Sequence, residues 1–117
     1  MRLLVIEDNP DIEEILGYIL NDDGHEVFSS PDGSFLNQLD EIKPDVILMD
    51  DKLVELRGSD LCLQLKHNDR TKHIPVILTS AMPDLPNTAI KCKADAYLEK
   101  PFNIDILSEM IRSFAKA

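Results

Sequence analysis

The stretch Pro44-Asp45-Val46-Ile47-Leu48-Met49-Asp50-Asp51 lies near the middle of the chain and contains an unbroken apolar run at residues 46–49. A continuous rather than alternating apolar run is typical of a strand buried on both faces, as in a parallel sheet covered by helices. Such a strand brings the next residue to the carboxyl edge of the sheet, where open α/β folds bind their ligands. We therefore expect Asp50 at a ligand-binding edge, where an ionised carboxylate needs a cation or hydrogen-bond donors nearby.

Length and composition indicate one domain spanning residues 1–117. Hydrophobic residues make up 44% of the chain and charged residues 29%, which argues against disorder. Because no apolar run approaches the roughly 20 residues that cross a bilayer, and the first apolar segment is too short for a signal peptide, we expect a cytoplasmic protein without membrane contact. The net charge of −10 makes direct nucleic-acid binding by this domain unfavourable, since such binding requires neutralisation of phosphates.

Short apolar segments alternate with helical patterns along the whole chain. Strands are predicted near residues 2–6, 27–28, 46–49, 74–78 and 94–98, with an amphipathic helix after each. This alternation predicts an α/β fold, a doubly wound five-stranded parallel sheet flanked by five helices, and we choose the flavodoxin-like strand order 2-1-3-4-5. Pro83 and Pro86 should delay the fourth helix until about Asn87, because proline resists helical continuation.

In this strand order the first and third strands are neighbours, so the acidic residues after them meet at one edge. Glu7, Asp8 and Asp50 would then repel one another unless a counter-ion is present. Clustered hard oxygen ligands with access to water suit Mg²⁺. The other two strands bring a hydroxyl, from Thr79 or Ser80, and the ammonium of Lys100. A metal, a cation and a hydroxyl around one nucleophilic carboxylate can handle a phosphoryl group.

A set of motifs at strand ends resembles the receiver (CheY-like) domain of two-component response regulators. The resemblance covers essentially the whole chain. An acidic pair or a Lys-Pro pair alone is common, whereas the joint occurrence of these motifs in this order is highly specific. The motifs are Glu7-Asp8, Asp50, Ser80-Ala81, Tyr97 and Lys100-Pro101-Phe102.

The resemblance implies a function and partners. Asp50 would accept a phosphoryl group from a sensor histidine kinase or a histidine phosphotransfer protein in an Mg²⁺-dependent reaction. The domain would then change conformation to control a downstream effector domain or protein. It would not be a conventional enzyme, although it would catalyse its own phosphorylation and the slow hydrolysis of its aspartyl phosphate. The resemblance also allows a phosphorylation-linked dimer.

The resemblance further assigns roles by position to the residues around Asp50. Asp8 and Asp50 would bind the metal directly, the backbone carbonyl of Lys52 would be the third protein ligand, and Glu7 would act mainly through coordinated water. Lys100 would pair with Asp50 and later with the phosphate, and the peptide bond that follows Lys100 is expected to be cis.

Two further residues would carry the conformational response. Counting from Pro75 puts the switch hydroxyl at Ser80, with Thr79 as the second choice. Tyr97 matches the aromatic switch position of the family, which turns inward when the hydroxyl moves to the phosphate.

The chain also departs from the family pattern at two positions. Val54 stands where a proline is usual, and Lys93 stands where a glycine is often found, which is unfavourable if the site needs a positive φ. Asp51 is expected to be a solvated loop acid.

The alternative functions are a pseudo-receiver that binds partners without phosphorylation and a flavodoxin-type cofactor binder. The complete acidic set argues against the first, and the absence of a phosphate loop after the first strand argues against the second.

Overall fold

The structure, a computed structural model, describes residues 1–53 and 56–115 of the chain. Within these residues five parallel strands form one sheet in the order β2-β1-β3-β4-β5, flanked by five α-helices. The strands are β1 Arg2–Ile6, β2 Glu26–Ser30, β3 Val46–Asp50, β4 Val76–Ser80 and β5 Ala96–Glu99. The helices are α1 Pro10–Asp22, α2 Leu39–Ile42, α3 Gly58–Lys66, α4 Leu85–Lys91 and α5 Ile104–Arg112, with a 3-10 helix at Gly33–Gln38 before α2. The predicted fold class and strand order are confirmed.

The sheet is covered on both faces, as the continuous apolar character of β3 predicts. Every residue of β3 and of β4 is buried. One apolar layer packs the 3-10 helix, α2, α3 and α4 against the sheet and includes Phe35 and Leu61. The opposite layer packs α1 and α5 and includes Leu16 and Leu107. Burial on both faces fixes the strand register, and the register fixes where each strand ends.

The register brings the ends of four strands to the same edge of the sheet. Ile6 of β1 is paired with Met49 of β3, and Asp50 is paired with Thr79 of β4. Ser80 of β4 is in turn paired with the last residue of β5. The residues that follow β1, β3 and β5 therefore converge on one place.

Several predicted boundaries need correction. The second strand was expected at residues 27–28 but is Glu26–Ser30, and the fifth was expected at residues 94–98 but is Ala96–Glu99. The fourth strand was expected at residues 74–78 but is Val76–Ser80, so both candidate hydroxyls belong to the strand. Helix α4 begins at Leu85 rather than near Asn87, because Pro86 lies in the first turn, where a missing N–H group costs nothing. The second helix begins as a 3-10 helix, whose Asp32 cap accepts a hydrogen bond from Ser34.

None of the helices among the described residues has the length and apolar character that crossing a membrane requires.

Candidate metal and phosphoryl site

Three carboxylates meet at the carboxyl edge of the sheet. Glu7, Asp8 and Asp50 each offer an oxygen atom, and these atoms lie within 4.8 Å of one another. Asp50 is the last residue of β3, while Glu7 and Asp8 come directly after β1. Glu7 and Asp50 are buried, with exposed fractions of 3% and 7%. A group of carboxylate oxygens at this spacing fits Mg²⁺, which prefers hard oxygen ligands.

The ammonium group of Lys100 lies beside two of these carboxylates. Its Nζ is 3.2 Å from Oε2 of Glu7 and 3.4 Å from Oδ2 of Asp50. The Lys100 backbone is held by the end of β4, because its N–H donates to the Ser80 carbonyl at 2.9 Å. The Lys100-Pro101 bond is cis. Sequence reasoning paired Lys100 with Asp50 alone and missed its hydrogen bond to Glu7, since a strand pattern does not say which of two neighbouring acids a lysine reaches.

The electrostatics of the site disfavour a negative charge on Asp50. Burial raises the pKa of the Asp50 carboxyl above its ordinary value, and the nearby charge of Glu7 raises it further. Lys100 and the backbone N–H of Lys52 act in the opposite direction but do not compensate fully. A divalent cation at these three carboxylates would stabilise the ionised form of Asp50.

The two candidate hydroxyls are buried and have different partners. The Oγ of Ser80 accepts a hydrogen bond of 3.0 Å from the backbone N–H of Met82. The Oγ1 of Thr79 donates to the carbonyl of Met49 at a long 3.5 Å. Thr79 also lines a cavity of about 10 Å³ together with Glu7, Asp50 and Lys100. Both hydroxyls therefore lie at the correct edge, and the assignment of the switch role to Ser80 stays a prediction.

Tyr97 lies on β5, at the edge of the sheet. Its exposed fraction is 42%, so a large part of the residue is open to solvent. The role of an aromatic switch for Tyr97 stays a prediction as well.

The expectation that Asp51 is a solvated acid was wrong. The Asp51 side chain is only 5% exposed. Its carboxylate accepts hydrogen bonds from the Arg57 guanidinium at 2.5 Å and from the Ser59 N–H at 2.9 Å. Burial acts to raise the pKa of Asp51, but these hydrogen bonds outweigh it and hold the pKa below its ordinary value. The signal in the sequence is an arginine six residues after an aspartate, which is weak by itself.

Val54, which stands where a proline is usual in the family, lies outside the described residues.

Comparisons with known proteins agree with this geometry. A sequence profile of the family described as "Response regulator receiver domain" matches residues 3–112. The chain is 29% identical to the DNA-binding dual master transcriptional regulator RpaA of Synechocystis, over 98% of this chain and 49% of that protein. It is 33% identical to the phosphate regulon transcriptional regulatory protein PhoB of Escherichia coli, over 87% of this chain and 46% of PhoB. The chain thus spans about half the length of these curated relatives.

A solved structure is similar over nearly its whole length. The response regulator TrrA of Thermotoga maritima, crystallised in complex with Mg²⁺ and beryllium fluoride, superposes with a TM-score of 0.86 at 25% identity. The match covers 97% of this chain and 98% of the TrrA chain. Fold, acidic site and family profile agree over residues 3–112, and the chain belongs to the response regulator receiver domain family.

Proposed function

We propose that this domain is a phosphoacceptor switch of a two-component signal transduction system. Asp50 takes a phosphoryl group from a sensor histidine kinase or a histidine phosphotransfer protein, and the phosphorylated domain controls a downstream effector. The observation that carries this proposal is the grouping of the Asp50 carboxylate with Glu7, Asp8 and Lys100 at the end of a buried strand.

Transfer is a displacement at phosphorus. A carboxylate oxygen of Asp50 attacks the phosphorus atom, the bond from phosphorus to the imidazole nitrogen of the donor breaks, and its electron pair leaves with the imidazole. Asp8, Asp50 and the Lys52 carbonyl would hold Mg²⁺, with Glu7 acting through a coordinated water. When bound, Mg²⁺ supplies charge neutralisation for the phosphoryl oxygens.

Lys100 provides a second positive charge next to the acceptor. Its Nζ already lies 3.4 Å from the Asp50 carboxylate, so after transfer it can pair with a phosphoryl oxygen without a large movement. Hydrolysis returns the domain to its starting state, because water attacks phosphorus and the bond to the Asp50 oxygen breaks. Inorganic phosphate leaves and the carboxylate is restored.

The conformational response would begin at Ser80. In the structure the Ser80 hydroxyl accepts a hydrogen bond from the N–H of Met82, and its O–H would move to donate to a phosphoryl oxygen on Asp50. Tyr97 would then move into the vacated space, and the surface around α4 and β5 would change. Phosphorylation thereby biases an equilibrium between two conformations rather than creating a new one.

The similar proteins bear on the kind of effector that the domain controls. RpaA and PhoB are described as transcriptional regulators, and this chain matches about half of each. We propose that an effector domain or protein, rather than this acidic domain, makes any contact with nucleic acid, because a net charge of −10 opposes binding to phosphates.

Chemical phosphorylation tests the proposal. The chain is incubated with a small acyl phosphate and Mg²⁺, and intact mass spectrometry counts the phosphoryl groups added. We expect one group, labile to hydroxylamine, and no labelling when Mg²⁺ is chelated beforehand. Asp50→Asn should abolish labelling, whereas Asp105→Asn, which alters an exposed carboxylate at the start of α5, should not. Full labelling of Asp50→Asn would refute Asp50 as the acceptor.

A further inference from the structure

The buried carboxylate of Asp51 links the beginning of the loop between β3 and α3 to its end. One carboxylate oxygen accepts from the Arg57 guanidinium, and the other accepts from the backbone N–H of Ser59 in the first turn of α3. The carbonyl of Asp51 also accepts from the Gly58 N–H at 2.8 Å. A single residue therefore contacts three consecutive residues on the far side of the loop.

Lys52, whose carbonyl is the expected third metal ligand, lies inside this closed loop. Lys52 and Arg57 form an antiparallel backbone bridge across it. The preceding residue is fixed to the sheet, because the Asp51 N–H donates to the Thr79 carbonyl at 2.9 Å. The approach of Gly58 is so close that a Cβ there would collide with the backbone carbonyl of Asp50. The backbone of Asp51, immediately before Lys52, and that of Arg57, across the bridge, thus have little freedom.

The Asp51–Arg57 pair is not explained by core packing. Asp51 is buried, but the Arg57 side chain is 56% exposed, so the arginine adds little to the apolar core. Arg57 occupies the N-cap position of α3 without a side-chain hydrogen bond to the helix. Asp51 supplies the acceptor instead, where a negative charge is also favoured by the helix dipole. The pair therefore acts mainly on the conformation of the loop.

We propose that Asp51 and Arg57 are positioning residues that hold the Lys52 carbonyl in place for the metal. The inference rests on the proposed function, since it assumes that Asp8, Asp50 and the Lys52 carbonyl hold Mg²⁺. Neither Asp51 nor Arg57 needs to touch the metal. Their contribution is to keep the third ligand oriented before the metal arrives, which is the usual effect of groups that support metal ligands from outside.

If Arg57 acted only through its charge, neutralising it would change the Mg²⁺ affinity in the opposite direction. Its guanidinium is a positive charge bound to Asp51, the residue after Asp50, so its removal would strengthen the attraction of a divalent cation. Loss of positioning would weaken binding instead. The sign of the change in Mg²⁺ affinity upon neutralising Arg57 therefore separates the two explanations.

The experiment is calorimetric titration of the full chain with Mg²⁺ alone. For Arg57→Gln we expect about tenfold weaker binding, at the lower end of the range for residues that support metal ligands. Arg57→Lys, which keeps a charge for Asp51, should recover part of the loss. Arg70→Gln, which removes an exposed charge after α3, should leave the affinity unchanged.

Thermal unfolding without metal is measured for the same variants, so that a loss of stability can be distinguished from a loss of Mg²⁺ affinity. Asp95→Asn removes another ion-paired carboxylate, the partner of Lys66 at 2.6 Å, and should lower the melting temperature without changing Mg²⁺ affinity. Wild-type affinity or tighter binding in Arg57→Gln would overturn the positioning role while leaving the proposed function intact. Failure of the wild-type chain to bind Mg²⁺ would instead overturn the proposed function, and the positioning role with it.

Discussion

At the scale of the residue, the acceptor carboxylate makes the metal-free fold less stable at neutral pH. Burial first, and Glu7 second, raise the pKa of Asp50 in the folded chain. An acid with a raised folded pKa binds its proton more tightly in the folded than in the unfolded state. Its stabilising effect is therefore present below the unfolded pKa of about 4 and is lost as the pH rises through the folded pKa.

Replacing Asp50 by asparagine should consequently stabilise the metal-free chain. In the presence of a chelator, Asp50→Asn should melt above the wild type at neutral pH, because the amide removes the buried negative charge beside Glu7. The difference should shrink as the pH falls through the folded pKa of Asp50 and vanish below about pH 4. Differential scanning calorimetry across this range measures it. Asp105→Asn serves as the control, and a wild type as stable as Asp50→Asn at neutral pH would contradict the argument.

The positions of residues at strand ends could be predicted from the sequence better than those of residues in the loop between β3 and α3. Glu7, Asp8 and Asp50 each follow an apolar strand, and parallel strands bring their carboxyl ends to one edge. Asp51 could not be placed in this way, because its burial depends on Arg57 folding back across a loop that has no periodic pattern. The hydrogen bond of Lys100 to Glu7 was missed for a related reason, since it depends on side-chain reach rather than on register.

At the scale of the element, two helices end in the same backbone pattern with different residues. After α1, Gly24 has a φ of 92°, its N–H donates to Asn21, and the next N–H donates to Leu20. After α4, Lys93 has a φ of 62°, its N–H donates to Ile90, and the next N–H donates to Ala89. This left-handed position strongly favours glycine, because other residues place their Cβ too close to the following carbonyl.

Lys93→Gly should therefore stabilise the chain. Removing the Cβ from a left-handed residue should raise the free energy of unfolding by about 1 kcal/mol, net of the greater backbone entropy of glycine. This corresponds to a rise in Tm of roughly 4 °C for a domain of this size. Lys93→Ala is the matched control, because it also loses the lysine side chain but keeps the Cβ. Equal melting temperatures for the two variants would show that the backbone is not strained at this position.

Element type could be predicted more reliably than element boundaries. The positive φ at Lys93 agrees with the departure noticed in the sequence, and α4 is short as the two prolines suggest. Its start was misplaced because proline disrupts a helix interior but suits a first turn. The 3-10 helix at Gly33–Gln38 was missed because its apolar spacing does not distinguish it from the first turns of an α-helix.

At the scale of the whole molecule, three exposed apolar side chains lie on consecutive elements at one end of the sheet. Ile90 of α4, Tyr97 of β5 and Ile106 of α5 have exposed fractions of 75%, 42% and 51%. β5 is an edge strand, and unpaired strand edges that carry exposed apolar side chains favour association. We propose that the surface formed by α4, β5 and α5 mediates the phosphorylation-linked dimer, since Tyr97, the proposed aromatic switch, lies on β5.

Association should then depend on the state of Asp50. Sedimentation velocity should show a monomer with Mg²⁺ alone and a dimer after addition of beryllium fluoride as a phosphoryl mimic. Ile90→Lys should keep the chain monomeric in both states because it places a charge in the apolar face, whereas Tyr18→Ser, at a 71% exposed position on α1, should still dimerise. Ile90 is not among the residues that meet at the acidic site, so a dimer that forms only with the mimic requires a conformational change between the two. The same dimer with and without the mimic would mean that the face associates independently of the switch.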